Sequence, residues 1–543
     1  MELNSRNRQF AEEISESAVL FTDRELYLSG EYIWFSCFIK LNGNPQIHSP
    51  GKILYVELLD RNQRAVQKGK FLIKENTGSG SMQIPAEALS EIYFLRAYTQ
   101  FMKNDGPEHF ACVPLTVVNP EYSLPPAGKG PSEEIPDAEV SGELRIETNK
   151  SIFDSREKVE VKLHQDGKGL AKVCVSVVRH GTGQSAKDKP TRGIASSGEE
   201  SRNLFWVPDI RGVSFSGFLR EKSTGSPISG KEVYLSVMGE SPILHITETH
   251  SNGSFIFSLD ELLQTKEINM EFKNGTGSDI EILINNDFSI EPCTLPQKAF
   301  TVDSTLGNIL TEMYINLQTG LAFNRSQVHY AAPVEKENML FGKYDFSVRP
   351  DDYIDLESLE EVFYEIVGPV SIRKSGTGEK YFMVANYESG RMLDNDLLLL
   401  DNVPVFDVDE LLKIPPTNIE RIDVINRPYF LGSKMLENVI LITTKTSDFG
   451  GFQFPAESIF LEFLLLSPET SFEPQIYQTP EQLTSTVPDF RTLLYWNPLI
   501  VLDGETPALE LFTADNTGQY DIVVRGITDQ GKVIWNKTPI WIR

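Results

Sequence analysis

The chain has 543 residues, of which 40% are hydrophobic and 23% charged, and 50 basic against 77 acidic side chains give a formal net charge of −27. This length exceeds what one hydrophobic core supports, so several domains are expected. The acidic balance argues against DNA or RNA as a ligand, because phosphate binding needs a basic face, and against broad adsorption to anionic lipid. It leaves open a well-solvated surface and an acidic binding surface. No run of about 18 apolar residues occurs, so no membrane-spanning helix is predicted.

The N-terminal segment, residues 1–17, offers no targeting signal. It has neither the apolar h-region nor the small-residue cleavage site of a signal peptide, and no cysteine stands in a lipobox. Two interpretations follow. Either the protein stays inside the cell, or this is a mature chain whose signal sequence and any lipid anchor lie outside it. The family resemblances described below favour the second.

Residues 18–118 are predicted to form an antiparallel β-sandwich. Short alternating apolar runs such as 53–59 and 92–98 are bounded by Gly, Asn and Asp, and 28–31 has the composition of a turn. This density of short strands with little helical pattern is typical of a single sandwich domain.

A specific motif marks the start of this domain. Residues 22–35, TDRELYLSGEYIWF, match the pattern TDRxxYxxGExxxF and resemble the entry of macroglobulin-type domains from Bacteroidota. The resemblance implies that Tyr27 and Phe35 pack inward, that Gly30 turns with a positive φ and that the Asp-Arg pair fixes the strand entry. None of these roles requires catalysis.

The next segments are a linker and a second β domain. Residues 119–140 are rich in Pro and Gly and are predicted to be a linker. Residues 141–211 contain an Asp-Gly turn and the alternating run VCVSVV, and they resemble a second, shorter macroglobulin-like sandwich. Within them, residues 181–204 are polar and poor in strand-forming residues, so a mobile loop is predicted there.

Residues 212–298 are predicted to form a third β-sandwich. The segments 224–230, TGSPISG, and 252–257, NGSFIF, resemble those of the carboxypeptidase regulatory-like domain. Asn-Gly is a strong hairpin signal, and Phe255 and Phe257 are expected to share one strand face. The resemblance implies a rigid seven-stranded module that is not itself a peptidase.

The pattern then becomes partly helical. Residues 299–354 are predicted to be a helical and irregular connector, because 309–323 carry apolar residues near helical spacing. Another helix is predicted over 355–367. Its expected apolar face comprises Leu359, Val362, Phe363 and Ile366.

Residues 355–450 alternate strand, helix and strand patterns, which predicts a small α+β domain. An apolar run ends in 401–404, DNVP, and is followed by 418–425, NIERIDVI, and 439–445, VILITTK. This arrangement closely resembles the plug domain of TonB-dependent outer-membrane receptors from Bacteroidota. The chain offers no segment for the receptor's barrel, so we expect the plug-like domain to be covered by its own chain or by a partner.

Residues 451–543 are predicted to form a C-terminal macroglobulin-like sandwich. The segments 488–498 and 512–520 closely match the last macroglobulin-like domain of the same Bacteroidota group. The whole chain therefore resembles a multidomain envelope protein of these bacteria. The expected fold class is mainly β, with tandem antiparallel sandwiches of macroglobulin or Ig-like type and one small α+β plug-like domain.

The four cysteines are Cys37, Cys112, Cys174 and Cys293. They form no CxxC pair, and none lies in the GCGEQ motif of protease-trapping macroglobulins. A zinc knuckle, a dithiol redox site and a thioester are therefore not predicted. Buried thiols and a bridge between Cys37 and Cys112 both stay open, and thiols are favoured because free Cys packs as a small hydrophobe.

No catalytic, cofactor or metal site is predicted. The patterns HExxH, GxSxG, Walker loop and Rossmann GxGxxG are all missing. Asp401, Asp407, Asp409 and Glu410 form an acidic cluster whose spacing fits no calcium loop. Helix N-capping and a solvated surface are therefore favoured there over a metal ion.

The functional hypothesis is a non-enzymatic, outer-membrane-associated scaffold or interaction protein of the bacterial cell envelope. Its expected partners are envelope proteins, an outer-membrane barrel among them. Two alternatives stay open: an accessory component of a TonB-dependent transport or outer-membrane assembly and secretion complex, and a peptidase-related enzyme with an unrecognised site. Phe406, Tyr429 and Phe430 are the candidate partner contacts, with core packing as the competing and favoured interpretation.

Overall fold

The chain divides into two compact units. The flanking unit comprises residues 2–213, 287–333 and 466–543, and the inserted unit comprises 214–286 and 334–465. The predicted linker and mobile loop fall mostly within 123–143 and 184–204, which lie outside the described residues. The computed structural model describes residues 15–41, 46, 48–122, 144–166, 169–183, 205–239, 241–259, 264–273, 279–295, 300, 304–323, 328–330, 340–353, 356–432, 434–504 and 508–543.

The fold class is mainly β, as predicted. Strands make up 49% and helices 11% of the structure, in tandem antiparallel sandwiches with one small α+β domain. Among the described residues, no helix is both long enough and apolar enough to cross a membrane.

The first sandwich consists of eight strands joined in the order β1-β3-β6-β5-β4-β7-β8-β2. All neighbours are antiparallel except β2 and β8. Every residue of β4 is buried, in keeping with its continuous apolar run. The strands are β1 Glu16–Thr22, β2 Leu26–Leu28, β3 Tyr32–Leu41, β4 Ile53–Leu59, β5 Ala65–Lys74, β6 Thr77–Gln83, β7 Glu91–Thr99 and β8 Ala111–Val118.

The bridge between Cys37 and Cys112 is not formed. All four cysteines lie in the described part of the chain and are thiols. Cys37 is on β3 and Cys112 is on β8, and these two strands are not neighbours in the sheet. The sequence left open buried thiols or a bridge between Cys37 and Cys112, and in the structure both residues are thiols.

The entry motif of the first sandwich packs as its resemblance implied. Tyr27 and Phe35 are fully buried, and Gly30 has a φ of 86°. Asp23 accepts a hydrogen bond from the Tyr27 hydroxyl at 2.8 Å and lies 2.8 Å from the Arg24 guanidinium. The motif is therefore a buried, hydrogen-bonded turn that fixes where the strands begin.

The second sandwich combines strands from two distant parts of the sequence. Its sheets have the orders β10-β35-β34-β12-β32 and β33-β11-β9. The strands are β9 Leu144–Thr148, β10 Ile152–Phe153, β11 Lys158–Gln165, β12 Ala171–Arg179, β32 Leu493–Leu502, β33 Leu509–Phe512, β34 Gly518–Thr528 and β35 Val533–Ile542.

This arrangement corrects one prediction. Residues 141–211 and 451–543 were expected to form two separate sandwiches, but their strands hydrogen-bond to each other in one. Strand β12 pairs with β34 along its whole length, from Ala171 opposite Thr528 to Arg179 opposite Tyr520, and with β32 on its other edge. A central strand needs partners on both edges, and its local pattern does not say where in the sequence they lie.

The third sandwich, which we call the regulatory-like sandwich after its sequence resemblance alone, has sheets in the orders β16-β13-β18 and β15-β14-β17-β30. The side chains of Phe255 and Phe257 are buried on one strand face, as predicted. The strands are β13 Val213–Glu221, β14 Glu232–Val237, β15 Ile243–Glu248, β16 Ser254–Leu259, β17 Thr265–Phe272, β18 Ile280–Ile284 and β30 Ile459–Leu464. Its last strand comes from the region predicted to begin the C-terminal sandwich, and it covers the edge of β17.

Strand β17 carries a buried carboxyl group that should make the inserted unit sensitive to pH. Burial raises the pKa of Glu271 from 4.5 to about 7, although a hydrogen bond from the Asn269 amide opposes the rise. The folded state thus holds a proton that the unfolded chain releases at lower pH. Stability from this group is present below pH 4.5 and is lost as the pH rises through about 7.

We expect the inserted unit to lose on the order of 3 kcal/mol of stability between about pH 5 and 8 through Glu271. Hydrogen–deuterium exchange of peptides from β17 at the two pH values measures this loss. The Glu271→Gln variant should flatten the pH dependence, whereas Glu248→Gln, at the exposed end of β15, should leave it unchanged. Equal pH dependence in wild type and Glu271→Gln would contradict the assignment.

In the described residues of the connector, the long helix is α1, Ser304–Ala322. Its Met313 side chain is fully buried and packs with Leu26, Leu28 and Val118 of the first sandwich. Two short strands that are far apart in the sequence, β19 Val328–Tyr330 and β31 Thr470–Phe472, pair with each other. A helical turn, Pro480–Leu483, begins at a capping box.

The small α+β domain, which we call the plug-like domain after its sequence resemblance alone, has a five-stranded sheet in the order β20-β26-β29-β24-β25, with β24 and β29 parallel. A three-stranded sheet, β21-β22-β23, and the hairpin β27-β28 complete it. The helix α2 buries Leu359, Val362 and Phe363, as predicted, whereas Ile366, the fourth residue of the predicted face, is the C-cap and is only partly buried. The elements are β20 Phe346–Val348, α2 Leu359–Glu365, β21 Val370–Lys374, β22 Lys380–Ala385, β23 Met392–Asp394, β24 Leu397–Leu400, β25 Val403–Pro404, α3 Val408–Leu411, β26 Ile419–Ile425, β27 Tyr429–Leu431, β28 Lys434–Leu436 and β29 Val439–Thr444.

Candidate interaction surface

The Asp-Asn-Val-Pro motif is a tight turn that fastens the plug-like sheet. Asp401 and Asn402 have φ angles of 47° and 69°, the left-handed conformation of a two-residue hairpin turn, and they join β24 to β25. The buried Asp401 carboxylate accepts hydrogen bonds from the Thr444 amide at 2.7 Å, the Thr444 hydroxyl at 2.6 Å and the Phe449 amide at 2.9 Å. The motif thus ties the turn to the end of β29 and to the following loop.

The rest of the acidic cluster has structural roles. Asp407 caps α3 by accepting a hydrogen bond from the Glu410 amide at 2.8 Å, which confirms the N-capping interpretation there. Asp409 accepts a hydrogen bond from the Lys380 amide at 3.0 Å. Across the part of the chain that the structure describes, no group of three or more His, Cys, Asp or Glu side chains is arranged to hold a metal ion.

Alternate residues of the plug-like sheet pack into two different hydrophobic cores, one on each face of the sheet. Leu398 and Leu400 of β24 pack in the core that also contains Val362 and Phe363 of α2. Leu397 and Leu399 point into a second core on the opposite face. Because successive side chains of a strand alternate between its faces, both faces of this sheet must be covered.

The second core is closed by the regulatory-like sandwich of the same unit. Tyr234 and Leu244 of that sandwich are buried in it, and the rings of Tyr234 and Phe406 meet edge to face with centroids 5.4 Å apart. Lys434 forms an ion pair with Glu232 beside this contact. One face of the plug-like sheet is therefore covered by residues of its own chain.

The three predicted contact residues have different surroundings. Phe406 and Tyr429 are partly buried against the second core, where the Tyr429 ring meets Phe341 edge to face at 5.2 Å. Core packing is the interpretation that fits both. Phe430, the next residue along β27, is 69% exposed.

The hairpin β27-β28 presents an apolar pair to solvent. Phe430 lies directly opposite Met435, and Tyr429 lies opposite Leu436. Cross-strand neighbours share one face of a hairpin, so Phe430 and Met435 form one patch and Tyr429 and Leu436 face the core. Met435 is 49% exposed. We call the Phe430 and Met435 side chains the exposed hairpin pair.

A second feature, a buried polar network on the first sandwich, was not predicted. The Arg96 guanidinium lies 2.5 Å from the Glu57 carboxylate, which also accepts a hydrogen bond from the Tyr98 hydroxyl at 2.9 Å. The same guanidinium donates to the Ser289 carbonyl at 3.1 Å. Single charged residues inside the apolar runs ILYVELL and IYFLRAY are the sequence signal that marks this network.

The network extends to both segments of the flanking unit that adjoin the inserted unit in sequence. The Tyr55 hydroxyl donates to Asp209 at 2.9 Å, before the inserted unit begins. Lys70 lies 2.5 Å from Asp287, just after residue 286, and burial lowers the Lys70 pKa. Lys103 donates to the Asp287 carbonyl at 2.9 Å, and burial lowers its pKa to about 8. These contacts anchor both segments on the first sandwich.

Comparisons with known proteins give only distant similarities. No family model matches the chain, and no curated protein matches it in sequence. Salmonella alpha-2-macroglobulin reacted with methylamine is 8% identical with a TM-score of 0.25, covering 97% of this chain and 39% of that one. Native Escherichia coli alpha-2-macroglobulin is also 8% identical with a TM-score of 0.25, and the match covers 97% of this chain and 40% of that one. Dimeric latent PorU from Porphyromonas gingivalis is 10% identical with a TM-score of 0.16, and the match covers 50% of this chain and 34% of that one.

The chain thus spans about two fifths of the length of the macroglobulins. At these TM-scores the similarity carries no argument about function, which has to come from the surfaces of this chain.

Proposed function

We propose that the protein is a non-enzymatic scaffold or interaction protein of the bacterial cell envelope, and that the exposed hairpin pair is a contact for a protein partner. The proposed location at the outer membrane, and envelope proteins as partners, follow from the resemblance of residues 397–445 to receptor plug domains. The alternative role in a TonB-dependent transport or secretion complex differs only in which partner is bound.

One observation carries the partner contact. The hairpin holds Tyr429 and Leu436 in the core and displays Phe430 and Met435 on its other face. The buried face fixes the hairpin backbone, so the positions from which the two exposed side chains project are set before any partner arrives. No backbone ordering is then needed on binding, and Phe and Met are enriched in interface cores.

The prediction is that Phe430→Ser abolishes partner capture without affecting folding. Substitution of an exposed side chain typically changes stability by less than about 0.5 kcal/mol. Tyr429→Ser, one residue earlier, removes a ring from the core and should cost roughly 2–4 kcal/mol. Affinity capture from native outer membranes and thermal unfolding, measured on both variants, test the two expectations together.

Tyr364 provides a matched control, because it is a 68% exposed aromatic residue on helix α2 of the same domain. Tyr364→Ser should retain every partner that wild type captures. Capture unchanged in Phe430→Ser would refute the proposed contact. A large loss of stability in Phe430→Ser would instead identify Phe430 as a core residue.

A further inference from the structure

Two cysteines that are far apart in sequence lie over the same face of the first sandwich. Cys112 on β8 is directly opposite Arg96 on β7, and cross-strand neighbours in antiparallel strands project to the same face. The Arg96 guanidinium lies 3.9 Å from the sulfur of Cys293. Arg96 therefore stands next to both thiols.

The chain around Cys293 is fixed against this face. The Gln63 side chain makes two hydrogen bonds to the Cys293 backbone, accepting from its amide at 2.8 Å and donating to its carbonyl at 2.9 Å. Leu295 packs in the same small hydrophobic cluster as Cys112 and Phe94. Contacts on both sides of Cys293 thus hold it beside the strand that carries Cys112.

The electrostatics of the two thiols agree with this proximity. Burial raises the pKa of Cys112 to about 12, and a charge on Cys293 raises it further. Burial also raises the pKa of Cys293, but the neighbouring Arg96 guanidinium opposes that rise. Cys293 is only partly buried, whereas Cys112 is buried. Cys293 is therefore the thiol that reagents reach first.

We infer that Cys112 and Cys293 form a disulfide site that an oxidised thiol–disulfide exchange partner can close. The Cys293 thiolate attacks one sulfur of the donor disulfide, which gives a mixed disulfide and releases the donor's other sulfur as a thiolate. Cys112 then loses its proton, attacks the Cys293 sulfur and expels the donor's remaining thiolate. Two protein thiols are oxidised, the donor disulfide is reduced to two thiols, and these take up the two protons.

The bond would fasten the segment after the inserted unit to the first sandwich. At present Arg96, Gln63 and Lys70 hold that segment through non-covalent contacts. A covalent link between positions so distant in sequence removes much conformational freedom from the unfolded chain, so oxidation should stabilise the flanking unit.

The test incubates the purified full chain with oxidised glutathione, then unfolds it without reductant and alkylates the remaining thiols. We expect only Cys37 and Cys174 to be labelled, and a Cys112–Cys293 linked peptide to appear in the digest. Oxidation should raise the unfolding temperature by roughly 5–15 °C. Labelling of all four cysteines, a stable glutathione adduct on Cys293, or a link that includes Cys37 would each overturn the inference.

Three variants make the result specific. Cys112→Ser and Cys293→Ser each keep only one thiol of the pair, so neither variant should give the linked peptide or the temperature rise. Cys37→Ala is the matched control, because Cys37 is fully buried on β3 of the same sandwich, and it should keep both the linked peptide and the temperature rise.

Discussion

Replacing Arg96 with alanine is expected to lower the stability of the flanking unit by about 3–5 kcal/mol. The Arg96 and Glu57 side chains are only 4% and 2% exposed. Without the guanidinium, the Glu57 carboxylate stays buried with the Tyr98 hydroxyl as a donor, and the Ser289 carbonyl loses its partner. An unpaired buried charge costs more than the attraction within the original pair suggests, which is why the loss should be large.

Tryptophan fluorescence measures this effect selectively. All five tryptophans of the chain lie in the flanking unit, so denaturant unfolding followed by their emission reports on that unit. The control is Lys74→Ala, since Lys74 and its partner Glu469 in the same unit are 65% and 72% exposed. It should leave the unfolding midpoint unchanged. Equal midpoints for Arg96→Ala and Lys74→Ala would show that the buried network does not stabilise the sandwich.

Asp401→Ala is expected to destabilise the inserted unit by roughly 3 kcal/mol. The substitution removes the acceptor for the buried amide and hydroxyl of Thr444 and for the part-buried amide of Phe449. It also places alanine at a φ of 47°, which an Asp or Asn side chain tolerates better. Both effects act on the same turn, so the strand pairing around β24 and β29 should loosen first.

Hydrogen–deuterium exchange of the β29 peptides measures the Asp401 effect, because the inserted unit contains none of the tryptophans. Asp401→Asn is the conservative comparison: it keeps one side-chain oxygen and suits the left-handed backbone, so its exchange should be slower than that of the alanine variant. Asp407→Ala removes only the cap of α3 and should cost about 1 kcal/mol. Unchanged exchange in Asp401→Ala would contradict a fastening role for the motif.

The nested arrangement of the two units affects how the chain can fold. Strand β12 is hydrogen-bonded to β32 and β34, which follow the inserted unit in the sequence. The second sandwich therefore cannot be completed until the C-terminal strands are available. Such non-local pairing makes folding slow, because the entropy of closing a long loop is lost before the contacts form.

The sequence by itself determined the elements whose signals are local. Alternation placed Phe255 and Phe257 on one buried face, and helical spacing placed Leu359, Val362 and Phe363 in a core. Each of these depends on a period of about two or 3.6 residues or on a turn within a few positions. Such patterns are complete within a short window and need no knowledge of the rest of the chain.

Only the tertiary structure decided which strands pair and which surfaces remain open. Residues 171–179 pair with 520–528, and β30 pairs with β17. The local sequence of these segments does not indicate which strand each one pairs with. Tyr429 and Phe430 are adjacent aromatic residues on one short strand, yet one contacts Phe341 and the other faces solvent. Alternation requires that they face opposite sides, but the side that is covered depends on where a distant sandwich packs, because burial arises from long-range contacts.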